Sequence, residues 1–272
     1  MDLKRYLETT KSLIDKALDA YLPPGDKEPK SLHRAMRYSV FPGGKRIRPI
    51  IVLASAEACG ALKGALPAAC AVEFVHTYSL VHDDLPVMDD DDYRREKPSC
   101  HRKFGEANAI LAGDGLLTLA FNIIASDMPP SIAASAAKEL SGAIGTFGMV
   151  GGQAADIESQ DKKKSPKELE RINRLKTARL FEASSKLGAI TAKSDGRKTK
   201  ALSDYGERLG MAFQAVDDIL DGDGSVKLFG DARARLYARD LIEKAKAALK
   251  PFGARAEKLE AIADHVLEQL TT

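Results

Sequence analysis

The sequence predicts an all-α fold, and three observations carry that reading. Apolar residues recur at spacings of three and four, as in Leu3, Tyr6, Leu7, Leu13, Ile14 and Leu18 near the start and Leu259, Ile262, Val266 and Leu270 near the end. Both ends therefore read as helices with one apolar face. Alternating Val, Ile and Thr runs bounded by Asn-Gly or Asp-Gly turns are missing, which leaves no strand signal. Turn-forming stretches at "LPPGDKEP", "FPGG", "GALP", "DMPPS", "DKKKSP", "KSDGRK", "DGDGS" and "KPFG" divide the chain into roughly ten helical segments without a long linker. A single domain over residues 1–272 is the economical reading, since 44% hydrophobic residues suffice for one large core.

The 41 basic and 39 acidic residues leave a formal net charge of +2, so no overall charge draws the chain to nucleic acid or an anionic membrane surface. Cys59, Cys70 and Cys100 are odd in number and lack paired metal-ligand spacing; they read as packing residues in a reducing compartment. The first twenty residues alternate charged with apolar side chains, and no uninterrupted apolar run of eighteen occurs. These features predict a cytoplasmic protein without stable membrane insertion.

In chain order, "FPGGKRIRP" is the first break that carries chemistry, with Lys45, Arg46 and Arg48 beside two flexible glycines. "FVHTYSLV" then reads as a buried helix on which His76, seven residues before Asp83, shares its face. That helix runs into "HDDLPVMDDDDYRR", where six aspartates fall between Asp83 and Asp92. Two carboxylates about 5 Å apart repel by roughly 3 kcal/mol at an effective dielectric of about 20, so the cluster needs cations, protonation or full solvation. Asp83 and Asp89 would lie on different faces of an ideal helix, but Pro86 disturbs the turn before it, and an irregular helix end can bring the two together. Asp90 to Asp92 read as solvated, and Asp114 as structural.

Further along, Gly151-Gly152 in "GMVGGQAADIES" marks a helix end or a place where backbone comes close to a substrate. Lys176 and Thr177 interrupt the helix-like "RINRLKTARLFEASSKLG". "FQAVDDILDGDG" echoes the first aspartate cluster; Asp217 and Asp221 are four residues apart and share a helix face, which makes a carboxylate clamp. Two clamps over one cavity would hold hard divalent cations, and magnesium commonly takes one or two carboxylates plus substrate phosphate oxygens. The nearby lysines and arginines suit such an anion, arginine as a planar fork and lysine as a point charge.

The series "GGKRIRP", "HTYSLVHDDLPVMDDDDYRR", "KPSCHRKFGEANAILAGDGLL", "GMVGGQAADIES", "RLKTARLFEASSKLGA" and "YGERLGMAFQAVDDILD" resembles the trans-isoprenyl diphosphate synthases over nearly the whole chain. The resemblance is to the short-chain farnesyl and geranylgeranyl diphosphate synthases of bacterial type. It implies a helical bundle around a deep central cavity, a homodimer, and magnesium-dependent condensation of isopentenyl diphosphate with allylic diphosphates. It assigns Asp83, Asp89 and Asp217 as magnesium ligands, supported directly or through water by Asp84, Asp218 and Asp221, with three ions per site once the allylic diphosphate is bound. Arg94, Lys176, Thr177 and Gln214 would hold the allylic diphosphate, and Lys45, Arg48, His76 and Arg95 isopentenyl diphosphate. Asp83, Asp84, Asp89, Arg94, Lys176 and Asp217 form the catalytic set.

Product length falls to Tyr78 and Ser79, which on a helix rising about 1.5 Å per residue sit roughly 7.5 and 6 Å deeper than Asp83. In the family an aromatic residue at the fifth position before the motif forms a floor that stops growth at fifteen carbons, so Tyr78 favours farnesyl over geranylgeranyl diphosphate. A terpene cyclase lacks the second aspartate motif in this form, and a non-catalytic regulatory subunit would lose one cluster. The chain departs from the family pattern twice. Glu96 stands where glycine usually follows the paired arginines. "DDILDGDGSVKLFG" is also shorter than the family's segment, which closes over the allylic diphosphate. "VKLFG" resembles the text beyond that segment, so a stretch left out of the sequence is favoured over a true shortening.

Overall fold

The computed structural model describes residues 2–62, 64–160 and 164–270; residues 161–163 of the "DKKKSP" break lie outside them. Helix α1 (Leu3–Tyr21) buries Thr10, Ile14 and Leu18 and leaves its other face wet. Asp2 caps it by accepting from the Arg5 amide at 3.0 Å, a contact that contributes about 1 kcal/mol. Helices α2 (Lys30–Val40), α3 (Ile47–Ala58) and α4 (Leu66–Asp83) follow. Nearly every side chain of α3 and more than half of those of α4 are buried, as their largely apolar or small residues require.

A feature without a sequence signal comes next: β1 (Tyr93–Arg94) and β2 (Lys97–Pro98) pair antiparallel, Tyr93 opposite Pro98 and Arg94 opposite Lys97. Arg95 and Glu96 make the two-residue turn with φ of 53° and 63°, a left-handed geometry that asparagine and glycine usually provide. Glu96 is exposed at this turn, which accounts for the family's glycine there.

The chain continues through α5 (Cys100–Phe104), α6 (Glu106–Asp127), α7 (Pro130–Ile144), α8 (Met149–Glu158) and α9 (Pro166–Asn173). A single π-helical turn (Arg174–Ala178) joins α9 to α10 (Arg179–Thr191), and α11 (Gly196–Asp221) carries the second aspartate motif. Then come α12 (Ser225–Phe229), α13 (Asp231–Ala248), a 3-10 segment (Lys250–Ala256) and α14 (Glu257–Glu268). The described residues therefore hold more helices than the ten segments expected, because α5, α9 and α12 are too short for their own periodicity to be read.

The core is built around α3, α4, α10 and α11; α4 packs on α6, α10 on α3 and α11, and α11 on α13. Tyr205, fully buried on α11, donates its hydroxyl to the Leu259 carbonyl at 2.7 Å and ties α14 to the bundle. Between α11 and α12 the chain runs unbroken through residues 222–224, where the Asp223 amide donates to Asp218 O at 3.0 Å and the Val226 amide to Asp223 O at 2.9 Å. The connection is a closed, hydrogen-bonded turn.

Candidate active site

Helix α4 ends at Asp83, and the following turn folds back so that the Asp89 amide donates to the Asp83 carbonyl at 2.9 Å. Pro86 thus ends the helix as its chemistry requires, and the two aspartates become neighbours. Burial pushes the Asp83 carboxyl up to about 6; nearby Lys176 opposes that shift and Asp89 adds to it. Asp84 is different. It is buried, and its Oδ1 accepts from Arg94 Nε at 2.9 Å and from Arg94 Nη2. Asp91 pairs with Arg94 at 3.1 Å and Asp92 with Arg102 at 3.0 Å, both at the surface.

On α11, Asp217 and Asp221 share a face. Burial raises Asp217 to about 6 against the pull of Arg48 and Lys45, with Asp221 pushing in the same direction as burial. Asp218 faces away, buried; its Oδ1 accepts from Gln214 Nε2 at 3.0 Å and its Oδ2 from the Ser225 amide at 2.8 Å. Among the described residues, Asp83, Asp89, Asp217 and Asp221 have no ion pair or side-chain hydrogen bond, whereas Asp84 and Asp218 are held by protein partners. The six aspartates expected around metal therefore divide into four open carboxylates and two that position other groups. Asp83 and Asp217 are half-buried and Asp89 and Asp221 exposed, and carboxylates gathered without protein partners fit a cation. Among the described residues no group of three or more acidic, histidine or cysteine side chains lies close enough to hold a metal ion by itself.

The basic residues divide in a similar way. Lys45 is exposed and donates to Gln269. Arg48 lies 4.5 Å from the Phe181 ring centroid and 5.7 Å from that of Phe213, with Nη1 3.4 Å from His76 Nε2. Burial lowers its guanidinium to about 10. His76 is held neutral well below its ordinary 6.5 by burial and by Arg48, then Arg95, Arg46 and Arg94. Arg95 donates to the Gly43 carbonyl and lies across Gly44, where φ is 127° and a Cβ would fall 2.6 Å from Arg95 Nη1; only glycine fits there. With Phe213 and Glu73, these residues line one pocket of about 310 Å³.

Arg46 departs from expectation. It takes φ of 52°, turns inward to 4% exposure, and pairs with Glu73, with Asp15 at 2.9 Å and with the Val40 carbonyl. It anchors the loop that presents Lys45 and Arg48 instead of facing an anion. Glu73 and Asp15, unnoticed in the sequence, complete that anchor.

Lys176 and Thr177 sit in the π-helical turn, a local widening often found at functional sites. Lys176 Nζ donates to Asp156 Oδ2 at 2.9 Å. Thr177 donates to Gln214 Oε1 at 2.9 Å, so Gln214, committed at both ends of its amide, orients Thr177. Gly152 sits within α8, where a Cβ would come 2.3 Å from the Lys176 amide nitrogen. The close approach inferred for the glycine pair is thus helix against π-turn.

A cavity of about 410 Å³ has Asp83, His76, Lys176 and Thr177 in its lining together with Tyr78, Ser79, Met149, Gln153 and Leu180. The Tyr78 ring packs edge-on against His82, centroids 5.7 Å apart, and Tyr78 is nearly buried. Asp156 and Gln153 escaped notice in the sequence; their three-residue spacing behind Gly152, which places them on one face of α8, was the available signal. A second groove of about 360 Å³, between α9, α11, α12 and α13, contains none of the four open aspartates.

A family model described as polyprenyl synthetase matches residues 29–262. The chain is 45% identical over 235 residues to a farnesyl diphosphate synthase of Geobacillus stearothermophilus, covering 85% of this chain and 79% of the relative. It is 40% identical over 297 aligned positions to a farnesyl diphosphate synthase of Escherichia coli, covering 99% of both; that relative carries residues which this shorter chain lacks. Among solved structures, the apo form of an FPP/GFPP synthase from Zymomonas mobilis superposes with a TM-score of 0.93 at 35% identity, covering 98% of this chain and 99% of the other.

Proposed function

Because the chain belongs to the polyprenyl synthetase family, we propose that it is a short-chain prenyltransferase that makes farnesyl diphosphate. It condenses isopentenyl diphosphate with dimethylallyl and then geranyl diphosphate. The observation that carries this reading is the unpartnered, half-buried Asp83 in the wall of a cavity that Lys176, Thr177 and Tyr78 also line. Two relatives named farnesyl diphosphate synthases, at 40% and 45% identity, support it.

In this reading Lys176, Thr177 and Arg94 hold the allylic diphosphate, with Asp156 and Gln214 orienting the first two and Asp84 the third. Lys45, Arg48, Arg95 and neutral His76 hold isopentenyl diphosphate. Asp83, Asp89, Asp217 and Asp221 would hold magnesium, three ions with the allylic substrate present; when bound, the metal supplies positive charge to the departing diphosphate. The allylic carbon–oxygen bond breaks with its electron pair leaving on the diphosphate. The cavity wall keeps water from the allylic cation, the isopentenyl double bond attacks it, and proton loss restores a double bond. Tyr78 sets where growth stops.

We also propose a homodimer in the cytoplasm. Ile110 and Leu111 on α6, and Phe147 and Val150 near the start of α8, are large apolar residues left in solvent, Phe147 at 86% exposure. Such surface favours a partner, and a second copy of the chain is the proposed one. The three cysteines are free, in keeping with a reducing compartment.

Diphosphate release from isopentenyl and dimethylallyl diphosphates, measured with and without magnesium, tests the shared metal site. Asp83→Ala and Asp217→Ala should each lower turnover by about three orders of magnitude or more, and the double variant should be little worse than either. Near-normal turnover of Asp217→Ala at saturating magnesium would refute the reading.

A further inference from the structure

Helices α4 and α6 pack on each other, and one side chain of α4 is seated directly on the α6 backbone. His82 Nε2 lies 3.1 Å from the Ile110 carbonyl oxygen; a carbonyl can only accept, so that ring nitrogen carries the hydrogen. Gly113 makes the seat possible. A Cβ there would fall 2.5 Å from His82 Cδ2 and 2.9 Å from Cε1, and closer still to Nε2, so the imidazole fills the space a side chain would take. Glycine weakens a helix interior, and at this place it is exchanged for a fixed ring. On its other side that ring meets Tyr78, four residues earlier on α4, with centroids 5.7 Å apart and planes at 78°, the edge-on arrangement that aromatic rings prefer. Helical side chains lean towards their helix N-terminus, which carries His82 back over the turn of Tyr78. The Tyr78 hydroxyl has no hydrogen-bond partner among the described residues, so packing alone holds its ring. His82 and Tyr78 both belong to the lining of the 410 Å³ cavity.

We propose that His82 is a positioning residue for product length: seated on α6 by Gly113 and the Ile110 carbonyl, its ring holds the Tyr78 ring where a growing chain must stop. A floor made of one side chain works only if that side chain cannot turn aside. Tyr78 has two rotatable bonds and no hydroxyl anchor, so the rigid imidazole against its edge is what denies it another rotamer. Remove the imidazole, and the tyrosine ring can swing into the vacated space, leaving room for further carbons. Product length is then set by α4 and α6 together, through the chain Gly113, His82, Tyr78, and not by a residue of α4 alone.

This inference rests on the prenyltransferase reading with Tyr78 as the floor, and the products separate the two. Wild type, Tyr78→Ala, His82→Ala, His82→Gln and the double variant Tyr78→Ala/His82→Ala are each incubated with magnesium, isopentenyl diphosphate and dimethylallyl diphosphate, and the chain lengths of the dephosphorylated alcohols are measured. His82→Ala should raise the ratio of twenty-carbon to fifteen-carbon alcohol by about tenfold or more, the scale on which a pocket discriminates added carbons. His82→Gln keeps a donor for the Ile110 carbonyl but has no ring to meet Tyr78. It should lengthen the product in the same way, and it carries the test should the alanine variant not fold. Because His82 acts through Tyr78, the double variant should make the same products as Tyr78→Ala alone. Further lengthening in the double variant would make His82 a wall in its own right and overturn the proposal. Unchanged products from His82→Ala and His82→Gln, beside a Tyr78→Ala that does lengthen them, would overturn it while leaving the floor in place. Failure of the underlying reading has a different signature: a wild type that makes no prenyl alcohol, or a Tyr78→Ala that leaves the product unchanged, removes the floor and this proposal with it.

Discussion

At His76, four arginines decide the charge of one ring. Burial and the fields of Arg48, Arg95, Arg46 and Arg94 keep the folded-state imidazole neutral well below its ordinary 6.5. An unfolded chain takes up a proton as pH falls through 6.5, the folded chain refuses it, and stability present above that value is lost below it. His76→Gln removes this dependence. Denaturant midpoints of the metal-free protein, taken at about pH 7.5 and about pH 5.5, should fall less for the variant than for wild type; equal falls would mean that the ring is charged in the fold. The same neighbourhood shows what sequence can and cannot tell. Lys45, Arg46 and Arg48 look equivalent in "GGKRIRP", yet Arg46 turns inside because its left-handed backbone and the buried Glu73 draw it there. Neither the sign of φ nor a partner 27 residues away has a local signature. Asp83, Asp89 and Asp217 were legible because charge density itself was the signal, while the engagement of Asp84 and Asp218 depends on side-chain direction, which spacing does not give.

Among the elements, the approach of α8 to the π-turn decides where Lys176 stands. A Cβ at Gly152 would come 2.3 Å from the Lys176 amide nitrogen and 2.7 Å from its Cα, so backbone must yield. Gly152→Ala should raise KM for the allylic substrate by about tenfold or more while leaving KM for isopentenyl diphosphate nearly unchanged. Equal rises in both would indicate a general loosening of the fold, and no rise would show that the contact does not position Lys176. The long helices were legible from apolar periodicity, as α1 and α14 illustrate. The π-turn was visible only as Lys176 and Thr177 interrupting an apolar pattern, and the β1–β2 ladder not at all, since Arg95 and Glu96 are unusual residues for the turn that makes it. The short turn after Asp221 closes on Asp218, whose Oδ2 accepts from the Ser225 amide at 2.8 Å.

For the whole molecule, α6 is apolar enough by mean hydropathy, 1.6, to resemble a membrane-crossing helix, yet only 39% of that stretch is buried. Ile110 and Leu111 on α6 are exposed, and the proposed second copy of the chain would cover them together with Phe147. Leu111→Asp combined with Phe147→Asp should shift the mass seen by light scattering from about two chains towards one, because two charges cannot be buried unpaired at such a contact; an unchanged mass would place the interface elsewhere. The cavity, by contrast, is lined within one chain by both Asp83 and Tyr78, and the proposed role of Tyr78 as its floor is read out in the product. Purified protein is incubated with magnesium, isopentenyl diphosphate and dimethylallyl diphosphate, and the dephosphorylated products are separated by chromatography beside those of Tyr78→Ala. The account predicts a fifteen-carbon alcohol as the main wild-type product and a shift to twenty carbons and beyond in the variant. A wild type that yields mainly the twenty-carbon alcohol, or no prenyl alcohol, would contradict it.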